Sequence, residues 1–176
     1  MLRSMAIEFE DDLACAYLDR QYMLGEALLI APVFSPEGDA DYYLPEGLWT
    51  SLLDSSVQEG GKWRHGNYDY FSLPLYVREN TLLVLGTCQD RPDYPYPLQS
   101  ELHIYQPSEG AEISARIPDL SGQTVHTVTA VRTGGRLHIA VTGSHKGFRV
   151  VVHCKTETAE ASLCAGTSEI SVPLES

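Results

Sequence analysis

Apolar positions along this chain follow two different periods. Over residues 12–34, DLACAYLDRQYMLGEALLIAPVF, Leu13, Tyr17, Leu18 and Leu24 recur at helical spacing. Asp11 or Asp12 can supply the N-cap, and Gly25 stands where a helix would end, because glycine enters a left-handed cap without a Cβ penalty. The pattern predicts a helix from Asp12 to Leu24, with Cys15 on its apolar side. Leu28, Leu29, Ile30 and Ala31 then form an unbroken apolar run closed by Pro32, a strand buried on both faces.

From about residue 100 the period becomes two. Leu102/Ile104, Val125/Thr127/Thr129/Val131, Leu137/Ile139/Val141 and Phe148/Val150/Val152 each alternate with polar neighbours. Such spacing buries one face of a strand and wets the other. Gly134-Gly135 between two of these runs is a hairpin signal, and residues 143–147 separate the next pair. Short strands at these intervals predict an antiparallel sandwich. Further strands are expected at 28–33, 41–44, 48–52, 71–77 and 81–85, divided by turn clusters at 35–39, 45–47 and 58–61. Residues 89–98 contain Pro92, Pro95 and Pro97. Proline has no N–H and biases its predecessor toward extended backbone, so this segment is expected to link two units, 22–88 and 99–176.

Composition narrows the functional classes. The chain has 176 residues, 43% of them hydrophobic, enough for one domain or two small ones. Its net charge of −12 argues against nucleic-acid partners and anionic membranes. There is no apolar run long enough to span a bilayer and no apolar leader. Four cysteines without C-x-x-C spacing argue against a zinc knuckle and lean toward the cytoplasm, although a hairpin joining Cys154 to Cys164 is conceivable.

The candidate chemistry is sparse. Glu8, Glu10, Asp11 and Asp12 form an acidic knot that suits a general acid/base pair, but carboxylates at a helix start are favoured by the helix dipole alone. His103, His126, His138 and His153 sit on alternating strands with side chains expected to face away from the core. His103 and His138 are the pair that could meet across strands and hold a metal. Asp39 and Asp41 resemble scattered calcium ligands without the spacing of an EF-hand. No catalytic, cofactor or metal site is therefore assigned. The binding candidate is the aromatic group Trp49, Trp63, Tyr68 and Tyr70, with Phe71 beside it and Arg64, His65 and Asp69 nearby. Such rings stack on sugar faces, but they also fill cores, and the core role is the one favoured.

Several motifs, taken in order, resemble the region after the catalytic barrel in glycoside hydrolase family 31, the α-glucosidase and α-xylosidase family. These are the 12–34 segment, Tyr42-Tyr43-Leu44-Pro45-Glu46-Gly47 with Trp49, and Ser72-Leu73-Pro74-Leu75-Tyr76-Val77-Arg78-Glu79-Asn80-Thr81-Leu82-Leu83. Arg91-Pro92-Asp93-Tyr94 is similar to the α-xylosidase branch, and residues 1–9 to the last barrel strand. Glu10 and Leu13 depart from the family, which usually has proline there. Retaining glycosidases need two carboxylates flanking the scissile bond. Nothing in this chain matches the family's motifs for them. The resemblance thus implies an all-β, non-catalytic C-terminal part: residues 1–21 a remnant of the barrel's end, 22–88 a proximal β-sandwich, 99–176 a distal one. Its partner would be the catalytic barrel, and an unpaired first strand, with Leu13, Tyr17 and Leu24 exposed, would favour self-association. The alternatives are a free-standing carbohydrate-binding module using Trp49 and Trp63, and a protein-interaction fragment.

Overall fold

The segment after Asp12 does not continue as a helix. The computed structural model describes residues 1–91, 93–143 and 145–174. In it Asp12 caps as expected, its carboxylate accepting from the Ala14 N–H at 3.0 Å, but only a 3-10 turn follows, Leu13–Tyr17. Leu18 is already extended. The turn buries Cys15, as expected, and leaves Leu13 and Tyr17 in solvent, so these residues do not share one helical face. The reason lies at Gln21. Its buried amide spans the backbone of Tyr43, Nε2 donating to the carbonyl at 2.7 Å and Oε1 accepting from the N–H at 2.8 Å. That reach draws the chain out of any helix and into a strand, β2.

The first unit, Met1–Glu79, contains eight strands. They are β1 (Leu2–Ser4), β2 (Tyr22–Leu24), β3 (Leu28–Ile30), β4 (Asp39–Leu44), β5 (Leu48–Ser51), β6 (Val57–Glu59), β7 (Lys62–Asn67) and β8 (Leu75–Arg78). Six of them form one sheet, β1-β2-β3-β8-β5-β6, while β4 and β7 form a separate antiparallel ribbon. Leu2, Arg3 and Ser4 pair with Leu24, Met23 and Tyr22, so the first strand has its neighbour within the chain rather than lacking one. Gly25, at φ +68°, serves the β2–β3 turn instead of a helix cap. A one-turn helix, α1 (Met5–Glu8), leads away from β1. Met5, Cys15, Met23, Leu29, Tyr42, Leu44, Trp49 and Tyr76 make the core between sheet and ribbon.

The second unit is Asn80–Ser176. Its strands are β9 (Thr81–Gly86), β10 (Ser100–Tyr105), β11 (Glu112–Pro118), β12 (Thr124–Thr133), β13 (Arg136–Thr142), β14 (Gly147–His153), β15 (Thr158–Cys164) and β16 (Glu169–Pro173). Two four-stranded sheets, β15-β14-β10-β9 and β11-β12-β13-β16, face each other across one apolar core. Among the described strands, only β10 and β14 pair in parallel. The two-residue hairpin at Gly134-Gly135 has both residues at positive φ, +58° and +75°, as a primed turn requires.

Two sequence-based expectations change here. Strand 81–85 was assigned to the first unit, but β9 pairs with β10 from Thr81↔Tyr105 to Gly86↔Ser100. Leu82 faces the second core together with Leu102 and Ile104. The contact boundary falls between Glu79 and Asn80, and the proline-rich segment is a connection inside the second unit. Pro92 in that segment, like Ser144 in the 143–147 turn, lies outside the described residues. The phase of β12 is also inverted: Val128 and Ala130 point into the core with His126, while Val125, Thr127, Thr129 and Val131 lie on the wetter face. Apolar or β-branched residues occupy both phases of this strand. Its register against Ile113, Ile117 and Ile139 decides between them. Among the described residues, no helix is long and apolar enough to cross a membrane.

Two outcomes follow from this arrangement. Endoproteinase Asp-N should nick the exposed stretch before Asp90, and the nicked chain should still elute as one particle until denaturant is added, because β9 stays in the second sheet. Gln21→Leu should strand the buried Tyr43 N–H and carbonyl. The cost, read by urea denaturation, should be about 2–4 kcal/mol for two unpaired backbone groups.

Candidate functional site

The most developed surface of the first unit is one face of the β4–β7 ribbon. Alternation along each strand puts Asp39, Asp41 and Tyr43 on the same side, opposite Asn67, His65 and Trp63. Each cross-strand pair is chemically matched. Tyr43 and Trp63 meet ring to ring at 5.7 Å. His65 Nδ1 lies 2.9 Å from Asp41 Oδ1, and Asn67 Nδ2 donates to Asp39 Oδ1 at 3.0 Å. These bonds use only Oδ1 of each carboxylate, and Oδ2 has no protein partner among the described residues. The face forms one wall of a cleft of about 570 Å³. The rest of the lining comes from Tyr17–Gln21, the end of the 3-10 turn and the chain that follows it, and from Phe34-Ser35. The Gln21 amide fixes the first of these segments against the ribbon. Three rings are exposed along the cleft: Tyr17 (93%), Phe34 (66%) and Trp63 (59%).

The four aromatic candidates from the sequence do not assemble. Trp49 is 0% exposed and donates its indole N–H to the Pro45 carbonyl at 2.8 Å, so it is a core residue with no face for a ligand. Tyr68 belongs to a hydroxyl chain, Tyr68···Tyr42 at 3.0 Å and Tyr42···Tyr76 at 2.8 Å. Burial, then those two bonds, pushes the Tyr42 phenol far above its ordinary value. Tyr70 is 95% exposed and packs edge-on against Phe71, at 5.4 Å, in a loop closed by Asp69 and Ser72. Of the four, only Trp63 lines the cleft. Tyr17 and Phe34 escaped sequence reasoning as binding rings, Tyr17 because helical spacing grouped it with Leu13 and Leu24 on an apolar face for the barrel. The available signal was the Asp19-Arg20-Gln21 polar run, which interrupts that face.

Two of the four carboxylates of the acidic knot, Glu8 and Asp12, have structural partners, while Glu10 and Asp11 are exposed. Glu8 receives Arg3 at 2.8 Å and Arg78 at 3.5 Å, and the Arg78 guanidinium lies over the Phe9 ring at 5.1 Å. Asp12 is spent on its cap.

Histidines of the second unit group differently from the expected His103–His138 pair. His138 is exposed on β13, whereas His103 Nδ1 lies 3.1 Å from Nε2 of His153 on the adjacent β14. His103 Nε2 reaches Glu101 at 3.3 Å, and Arg149 joins Glu101 to Glu160. Against the cost of burial, Arg149 and His103 hold the Glu101 carboxyl below its usual range. The His153 ring lies flat on Tyr105, with centroids 4.4 Å apart. His126 was expected to face outward. It is buried instead, edge-on to Phe148 and His145. Burial first, then the neighbouring imidazole, lowers the pKa of both His126 and His153.

Among the described residues, no three His, Cys, Asp or Glu side chains are placed to share a metal ion. All four cysteines are free thiols. Cys164 pairs with Gly147 at one end of the β14–β15 hairpin and Cys154 follows its other end, so the hairpin holds them apart. Burial, then Asp12, pushes the Cys15 thiol up to about 12, the behaviour of an inert core residue.

The lowered histidines set a pH dependence. The unfolded chain takes up their protons near pH 6.5 while the folded chain resists. Their contribution to stability is therefore complete above about pH 6.5 and is lost as pH falls through the folded values. The melting temperature should drop between pH 7.5 and pH 5.5, and His126→Gln should reduce that drop.

Two family models match the chain. Residues 1–83 match "Glycosyl hydrolase family 31 C-terminal domain", and residues 95–174 match "Alpha-xylosidase YicI, C-terminal domain". The chain is 33% identical over 175 residues to an α-xylosidase of Lactiplantibacillus pentosus, covering 98% of this chain and 23% of that protein. It is 33% identical over 141 residues to an α-xylosidase of Emericella nidulans, covering 76% and 18% respectively. The fold recurs in the α-xylosidase from Xanthomonas citri, at a TM-score of 0.73 and 22% identity over 99% of this chain and 21% of that one. It recurs also in the cycloalternan-forming enzyme from Listeria monocytogenes, at a TM-score of 0.81 and 17% identity over 99% and 20%. The chain thus spans less than a quarter of the length of these relatives.

Proposed function

Because the chain belongs to glycoside hydrolase family 31, as the C-terminal part of an α-xylosidase- or α-glucosidase-like enzyme, we propose that its two β units serve as a non-catalytic support for a catalytic barrel. The parent reaction would be retaining hydrolysis of α-linked xylosyl or glucosyl residues, with both reacting carboxylates on the barrel. One observation carries the supporting role. Apolar side chains left in solvent concentrate in the first 24 residues, Leu2, Ile7, Leu13 and Leu24 among them. Leu2 and Leu24 lie opposite each other in the β1–β2 ladder and so share one face. Surfaces of this kind mark a contact with another body. Of the nearby carboxylates, Glu8 is engaged in ion pairs and Asp12 in a cap, which suits a joint better than a reacting centre.

The test is a chimaera in which this chain replaces the C-terminal part of the Lactiplantibacillus pentosus α-xylosidase. The chimaera should hydrolyse an aryl α-xyloside. Ile7→Glu with Leu13→Glu should cut the yield of soluble active chimaera several-fold, while leaving the melting temperature of the isolated chain unchanged. The isolated chain should give no turnover above buffer and should self-associate in light scattering until those two substitutions are made. Turnover by the isolated chain, abolished by Asp11→Asn or Asp12→Asn, would overturn the reading.

A further inference from the structure

The cleft beside the β4–β7 ribbon is built for a ligand of its own, and we propose that it binds a neutral oligosaccharide, with Trp63 as the principal stacking ring. The proposal goes beyond the supporting role and uses none of the residues assigned to it.

Three features select this class of ligand. The first is the spacing of the rings. Tyr17, Phe34 and Trp63 all open onto the cleft, yet among the described residues none of the three touches another. A compact cage for a single ammonium group needs rings converging within about 6 Å of one centre. Rings set apart along a cleft instead suit successive apolar faces of an extended molecule. The second is charge. Asp19, Asp39 and Asp41 line the cleft against Arg20, so a phosphorylated or carboxylated ligand would meet net repulsion. The third is hydrogen-bonding capacity. Oδ2 of Asp39 and of Asp41 are free acceptors, held in place because the matching Oδ1 atoms are tied to Asn67 and His65. Arg20 makes no ion pair among the described residues and presents donors from the Tyr17–Gln21 segment. Hydroxyl groups both donate and accept, and a pyranose carries them around an apolar face. Preset carboxylates beside an exposed indole therefore match both halves of that chemistry.

Trp63 is kept in position by its contact with Tyr43, whose backbone the Gln21 amide clamps. The stacking ring and the Tyr17–Gln21 lining are thus set by one linkage before any ligand arrives, which lowers the ordering cost of binding.

The full chain is titrated with maltotriose, isomaltotriose and an α-xylosylated glucan oligosaccharide, following tryptophan emission and backbone amide shifts. At least one sugar should bind saturably, with shifts at residues 17–21, 34–35, 39–41 and 63–65. Trp63→Ala should weaken binding at least tenfold. Tyr17→Ala, at a side chain too exposed to affect folding, should also weaken it severalfold. Tyr70→Ala should leave binding unchanged. The proposal is overturned by the absence of saturable shifts with all three sugars, by shifts confined to residues 68–73, or by full binding in Trp63→Ala. Tetramethylammonium moving the same amides at lower concentration than any sugar would overturn it in favour of a cation site. Any of these failures leaves the chimaera result untouched, so the two readings fail separately.

Discussion

The first unit depends on one side chain acting as backbone. Tyr43 sits at a position of the ribbon where its N–H and carbonyl turn away from β7, and no strand lies beside β4 to receive them. The Gln21 amide supplies both the missing acceptor and the missing donor. A primary amide is the side-chain group that reproduces a peptide unit, and leaving two buried backbone groups unpaired would cost more than any local helix between Asp12 and Leu24 could return. From this pairing follow the shortness of the 3-10 turn, the extension of residues 18–21 and the entry of β2 into the sheet. The cleft owes its Tyr17–Gln21 lining to the same pairing.

The second unit rests on a different constraint, the close packing of two sheets over a shared core. Its strands are long and heavily β-branched, and the inward positions of β10, β13 and β14 match their apolar phase. Imidazoles of this unit are grouped with aromatic neighbours, His126 inside the core and His103 and His153 on the outer face of their sheet. His126 packs against His145 and Phe148 and has no counter-charge among the described residues, whereas His103 bonds His153 on one side and the Glu101 carboxylate on the other. Such an arrangement is stable while the rings are neutral, and it ties this unit to near-neutral or alkaline pH.

Family membership and local geometry divide the functional account between them. The kinship with α-xylosidases rests on ordered motifs in about the first half of the chain and on family models over residues 1–83 and 95–174, and the relative it matches is at least four times longer. The pairing of Glu8 with Arg3 and Arg78, the burial of Trp49 and the opening of Trp63 onto a cleft are properties of this chain's own packing. They separate residues that hold the fold from those available to a partner or ligand.

Period-two alternation, glycine pairs and the ordered motifs of residues 12–83 were enough to read an all-β chain of two units, its family and the hairpin at Gly134-Gly135. These signals are local, since each residue's role is set by neighbours two or three positions away. The helix over 12–24, the phase of β12, the partner of β9 and the fate of each aromatic ring were decided only in three dimensions. In each case the local pattern of residues was compatible with two arrangements. A residue distant in the chain chose between them in two cases, Tyr43 for Gln21 and Leu102 and Ile104 for Leu82, while packing chose Ala130 over its neighbours and buried Trp49. Hydrogen-bond completion and core filling are properties of the whole packed unit, which is why no window of sequence could settle which rings stayed exposed.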